Sequence, residues 1–146
     1  MKREIKFRGQ KTQTKEWVLG SLVSTKEHGY AIIQQRENPI HDGVVQGWCF
    51  GVIPETVGQF TGLHDKNGKE IYDGDIISDE FLDTYEGLQI SRETVFFDVK
   101  LGTWMLDQSY SQDESYASAL ATNLMEYEYT VVGNIYETPQ QSDTMS

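Results

Sequence analysis

A chain of 146 residues with 38% hydrophobic side chains suits one compact domain, or a small domain with a substantial extension, and excludes two large independent ones. Its formal charge of −11 is unevenly laid out: residues 1–40 hold 8 basic and 4 acidic side chains, residues 41–77 hold 2 and 6, and residues 78–146 hold 2 and 13. The acidic balance disfavours the whole surface as a nucleic-acid binder, while a basic front and an acidic back favour head-to-tail attraction between subunits.

Ile5 and Phe7 alternate with Glu4, Lys6 and Arg8, predicting a half-buried strand that ends near Gly9. Residues 10–16 are polar and read as a turn, and residues 17–23 follow as a strand with strand-forming side chains on both faces. Residues 30–33 predict another short strand, after which Asn38-Pro39 and Asp42-Gly43 mark a long loop. Residues 47–53 resume the sheet, with Trp48, Phe50 and Val52 opposite Cys49, Gly51 and Ile53. Apolar groups on both faces mean that at least one face is covered.

The densest local instructions lie in residues 59–77, QFTGLHDKNGKEIYDGDII. Asn67-Gly68 tolerates the positive φ of a tight hairpin turn, with Leu63 and Ile71 anchoring its arms. Asp73-Gly74-Asp75 follows, and its glycine lets the chain bend before Ile76 and Ile77 enter another strand. Asp65, Asp73 and Asp75 stand where carboxylates cap turn N–H groups.

Residues 78–87 are acidic, weakly periodic and read as an exposed connection. Val95, Phe97 and Val99 alternate with Thr94, Phe96 and Asp98, and Gly102 turns the chain into a return strand over residues 103–106. Ser111 with Glu114 has the spacing of a capping box, and Tyr116, Leu120 and Leu124 recur at helical spacing, predicting one helix of about three turns. Tyr127, Tyr129, Val131 and Ile135 give a closing strand, and residues 138–146 read as a disordered tail. Many short strands, one helix and no βαβ alternation argue for a mainly β barrel or roll.

The stretch GQFTGLHDKNGKEIYDGDII, residues 58–77, resembles the signature of YopX-like proteins of bacteriophages and prophages. The resemblance extends to REIKFRG (residues 3–9), WVLG (17–20), IPETVG (53–58) and VGNIY (132–136), and so covers nearly the whole chain. It departs at His64, where a lysine is common, and over residues 79–89. It implies an SH3-like small barrel and a phage-derived, bacterial origin, but no catalytic residues. The expected layout is an N-terminal strand unit over residues 1–54, which shares or abuts the core of a barrel over residues 55–137.

Several chemistries compete with plain structural roles. His64-Asp65 with Asp73 and Asp75 would offer oxygen ligands to a hard cation, but turn capping accounts for the same residues. No HxH, HExxH or HxxxH spacing supports zinc chemistry, and the glycines form neither a P-loop nor a GxGxxG turn. Cys49, the single cysteine, excludes an internal disulfide and a CxxC clip, and between Trp48 and Phe50 it reads as a small buried hydrophobe. No signal-peptide core follows Met1 and no apolar run approaches a membrane span, so a cytoplasmic location in a bacterial host is expected.

The first expectation is therefore a non-enzymatic protein-binding or assembly module that needs no cofactor or metal. It would form a homo-oligomer or bind a host or phage protein. The alternative is a nucleic-acid accessory protein whose contacts are Lys2, Lys6, Arg8, Lys11 and Lys15, with Arg3, Phe7 and Trp17 nearby.

Overall fold

Short alternating strands separated by Asp, Asn and Gly turns fold back on one another, and in the computed structural model they build two antiparallel sheets. The structure describes residues 2–27, 29–41, 43–107 and 117–137, and for 35–41 and 44–46 the backbone alone. In chain order the elements are β1 (Phe7–Gln10), β2 (Trp17–Thr25), β3 (Gly29–His41), β4 (Val44–Gly51), a 3-10 turn (Pro54–Thr56), β5 (Gly58–His64) and β6 (Glu70–Tyr72). They continue with β7 (Asp75–Asp83), β8 (Gly87–Asp98), β9 (Thr103–Asp107), β10 (Ala117–Ala119), α1 (Leu120–Glu126) and β11 (Tyr129–Asn134). The sheet orders are β4-β3-β2-β1-β5-β6 and β10-β9-β8-β7-β11. The mainly β architecture with one short helix is as the sequence implies. Among the described residues no pairing closes either sheet into a barrel.

The chain gathers into two compact units, Met1–Phe60 and Thr61–Ser146. In the first, Val18, Ile32 and Val52 form the buried core, with Phe7, Leu22, Phe50 and Val57 packed against it. Three expectations are corrected here. Ile5 lies outside β1 and is exposed, because ladder pairing begins only at Phe7 opposite Gly20. Residues 34–41, read as a loop, extend β3, and the register shift between Gln35 and Ile40 accommodates Asn38-Pro39 in the ladder. Cys49 is exposed rather than buried: β4 is an edge strand, and Cys49 opposite Ile33 belongs to the face away from Ile32 and Phe50.

In the second unit Ile71, Ile77, Val95, Leu106, Leu120, Tyr129 and Val131 form one buried cluster, flanked by Leu63, Trp104 and Leu124. Of the expected anchors of the signature hairpin, Ile71 lies in it and Leu63 packs against it. The β8–β9 hairpin also forms as expected, with Asp98 opposite Thr103 and Phe97 edge-on to Trp104 at 5.0 Å.

Residues 78–87 are not a connection. They complete β7 and turn into β8, with Phe81 opposite Gln89, Leu82 opposite Leu88 and Asp83 opposite Gly87. The turn is built by Asp83, whose Oδ1 accepts the N–H groups of Tyr85 and Glu86 at 2.8 and 3.0 Å. Its carboxyl is held below the usual range by those two hydrogen bonds. The hairpin's apolar residues escape periodicity analysis because nothing in this unit buries them.

The helix is shorter than the spacing implies. It starts at Leu120, after residues 117–119 have paired with β9 as β10, and Ser111, Glu114 and Tyr116 lie outside the described residues. Leu120 and Leu124 still face the core at the expected spacing of four. The predicted tail, residues 138–146, also lies outside the described residues.

Candidate functional site

The turns of the signature stretch are held by backbone and carboxylate hydrogen bonds. Gly68 N–H donates to the Asp65 carbonyl at 3.0 Å, and Asp65 N–H donates to the Lys69 carbonyl at 2.8 Å. This is a three-residue hairpin loop in which Gly68 alone takes positive φ, +83°, while Asn67 does not. The expectation that Asn67-Gly68 together supply positive φ is corrected accordingly. Asp65 Oδ1 accepts the Asn67 and Lys69 N–H groups, each at 2.9 Å, and its Oδ2 accepts Val131 N–H at 3.0 Å. Burial pushes this carboxyl up, but the backbone hydrogen bonds from Val131, Lys69 and Asn67, with the charge of Lys69, outweigh it and hold the group below its usual range.

Gly74 has φ +86°, donates to the Val95 carbonyl at 2.9 Å and accepts from Ile135 N–H at 2.9 Å. Asp75 is buried, and its Oδ2 accepts Tyr72 N–H at 2.7 Å. Asp65, Asn67, Gly68, Asp73, Gly74 and Asp75 thus build turns. Among the described residues no group of three or more His, Cys, Asp or Glu side chains is placed to hold a metal ion.

The basic N-terminal residues are engaged within their own unit. Lys6 pairs with Glu4 at 3.2 Å and lies 5.0 Å above the Phe60 ring; Arg8 stacks 4.9 Å from the Trp17 ring. Lys11 pairs with Glu16 at 3.7 Å and covers the Phe50 ring at 4.0 Å. Lys2 and Lys15 are exposed, Lys15 with φ +61° in the β1–β2 turn. Of the aromatic rings near these residues, Trp17, Phe50 and Phe60 each have a cation over one face.

A site that the sequence reading missed lies in the second unit. Asp79 stands opposite Ser91 on one side and Tyr129 on the other, and Glu93 follows two residues along β8, on the same face. With β10 and α1 they line an open cleft of about 610 Å³. Glu93 is buried and accepts the Tyr129 hydroxyl, which lies 3.2 and 3.3 Å from its two oxygens. Burial, and then the Glu93 charge and hydrogen bond, push the Tyr129 phenol far up, so it stays protonated and donating. Asn123 Nδ2 donates to Ser118 Oγ at 2.8 Å and to the Ala119 carbonyl at 2.7 Å, fixing the start of α1 against β10.

Asp79 differs from its neighbours. Only 7% of it is exposed, and its carboxylate has no hydrogen-bond partner among the described residues. Burial pushes its carboxyl up, the Glu128 charge adds to this, and Lys66 offsets part of it. The signal available in the sequence was the Asp79–Phe81 and Ser91–Glu93 alternation, which is legible only once β7 and β8 are known to pair.

Together, the open sheets, the short helix and the polar cleft define a small, two-unit, mainly β protein with an acidic concave site. The YopX protein family matches residues 6–141, and the chain belongs to that family. Among solved structures, the chain is similar to protein EF1440 from Enterococcus faecalis: the identity is 21%, the TM-score 0.59, and the match covers 96% of this chain and 99% of that one. At that identity the likeness concerns the fold. No curated protein matches the chain. No helix among the described residues is long and apolar enough to cross a membrane.

Proposed function

We propose that this chain is a phage- or prophage-derived protein-binding and assembly module, without catalytic activity of its own, that works in the cytoplasm of a bacterial host. The observation that carries this reading is the β7–β8 hairpin, whose far end presents Phe81, Leu82, Tyr85, Leu88 and Ile90 to solvent, with Leu82 80% and Tyr85 95% exposed. Leu82 and Leu88 form a cross-strand pair and Ile90, two residues along β8, shares their face, so these three apolar groups are contiguous, while Phe81 lies on the opposite face. Contiguous exposed apolar surface on a soluble chain marks a protein contact. The second unit is read as the SH3-like roll that the family resemblance implies, because Ile71 of β6 and Leu120 of α1 share one core with β7, β8, β9 and β11.

Light scattering at tens of micromolar tests the assembly reading. The wild-type chain should be oligomeric, and L82K/L88K should shift it toward the monomer mass without lowering its melting temperature. A strictly monomeric wild type at low and high salt would refute assembly. If raising the salt also lowers the mass, attraction between the basic front and the acidic back contributes.

A further inference from the structure

We infer that the cleft between Asp79, Glu93 and α1 is a receptor for an organic cation, the guanidinium or ammonium group of an arginine or lysine side chain on a partner polypeptide. A carboxylate withdrawn from water is stable as an anion only when an opposite charge or hydrogen-bond donors replace the lost hydration. Glu93 has such a donor in the Tyr129 hydroxyl. Asp79, 7% exposed and lining the same cleft, has none among the described residues; its oxygens are not sealed off and meet only the water of the cleft, which a cationic ligand would displace. Its place in the ladder opposite both Ser91 and Tyr129 keeps the carboxylate on the face that Glu93 shares.

The rest of the lining selects the ligand's charge and shape. Glu126 adds a third carboxylate at the cleft, in a segment, residues 78–146, with 13 acidic and 2 basic side chains, so an anion is repelled. A metal ion is disfavoured because no group of three ligating side chains is gathered among the described residues. Phe81 and Tyr127, partly exposed at the cleft, offer apolar and π surface to an alkyl stem and its cationic head. Lys66 lowers the Asp79 carboxyl's affinity for protons but makes no ion pair with it among the described residues. The inference rests on the protein-binding reading only for the source of the cation.

The test is a titration followed by amide chemical shifts, with N-acetyl-arginine amide, N-acetyl-lysine amide, the neutral N-acetyl-citrulline amide, and the free amines agmatine and spermidine as probes. Saturable shifts confined to Asp79, Glu93, residues 118–126 and Tyr129 are expected for the two capped cations and not for citrulline. D79N should bind at least tenfold more weakly while melting at the same or a higher temperature. Equal binding of citrulline, undiminished binding by D79N, or a lower melting temperature of D79N overturns the inference. Tighter binding of agmatine or spermidine than of the capped residues overturns the polypeptide source. Because these probes report on the cleft whatever the oligomeric state, failure here is distinct from failure of the hairpin test.

Discussion

Replacing Asp65 with alanine removes the acceptor of three backbone N–H groups, those of Asn67, Lys69 and Val131. The Val131 donor is buried, so its loss strands an N–H at about 1–3 kcal/mol. Asn67 and Lys69 are exposed, and water can serve these other two donors, leaving a loss of about 0.5–1 kcal/mol each. The sum, about 2–5 kcal/mol, is a large part of the roughly 5–15 kcal/mol that holds a typical domain. D65N keeps an oxygen for the turn donors but turns an NH₂ toward Val131, so it should lose only the first part, about 1–3 kcal/mol.

The pH dependence has a definite sign. Because the folded carboxyl is held below its ordinary 3.8, the unfolded chain takes up the proton first as pH falls. The stabilisation is complete above the unfolded value and is lost as pH drops through the lower folded one, so the gap between wild type and D65N should narrow there. Urea unfolding followed by Trp104 fluorescence, in a background with Trp17 and Trp48 replaced by Phe, reads the second unit. A D65A midpoint equivalent to wild type within about 0.5 kcal/mol, or a D65N gap that does not narrow below about pH 3.8, would refute the reasoning.

Gly68→Ala should cost about 1–2 kcal/mol from unfavourable φ alone, since a Cβ added there meets nothing within 4 Å. Gly74→Ala should cost more, because the added carbon would sit 3.1 Å from Tyr136 Cε2; thermal melts that rank the two the other way contradict the turn assignment. Leu120→Ala opens a cavity at a fully buried position and should lose about 2–5 kcal/mol by denaturant titration, whereas Met125→Ala, exposed on the same helix, should be near neutral. Asp79 titrates in the opposite sense to Asp65: its raised carboxyl means that D79N gains most over wild type near neutral pH and that the advantage fades in acid, which paired melts across pH will show.

What the sequence made legible was local. Asp65, Gly68, Gly74 and Gly102 carry turn chemistry that a few neighbouring residues decide, and the turns they imply are there. The failures have a common cause in tertiary pairing. Cys49 looked buried between Trp48 and Phe50, but its register opposite Ile33 puts it on the sheet face away from the Ile32 core. The acidic run over residues 78–87 looked like a loop because its apolar residues face solvent, and only pairing with β8 makes it a strand. The cleft was illegible for the same reason: Asp79, Glu93 and Tyr129 meet only when three strands are laid side by side.

The order β10-β9-β8-β7-β11 has a consequence for synthesis on the ribosome. β11, the last strand among the described residues, pairs with β7, the first of its sheet, and the Asp65–Val131 hydrogen bond spans 66 residues of sequence. The paired strands of the first unit can form as soon as residue 60 clears the exit tunnel, whereas β7 keeps an open edge until residues 129–134 emerge. At about 5–20 residues per second, the 45 residues between β7 and β11 take a few seconds, during which that edge is available to other strands. A nascent chain stalled near residue 126 should therefore be sensitive to proteolysis after residue 61 while its first 60 residues are protected, and release of the full chain should remove the difference.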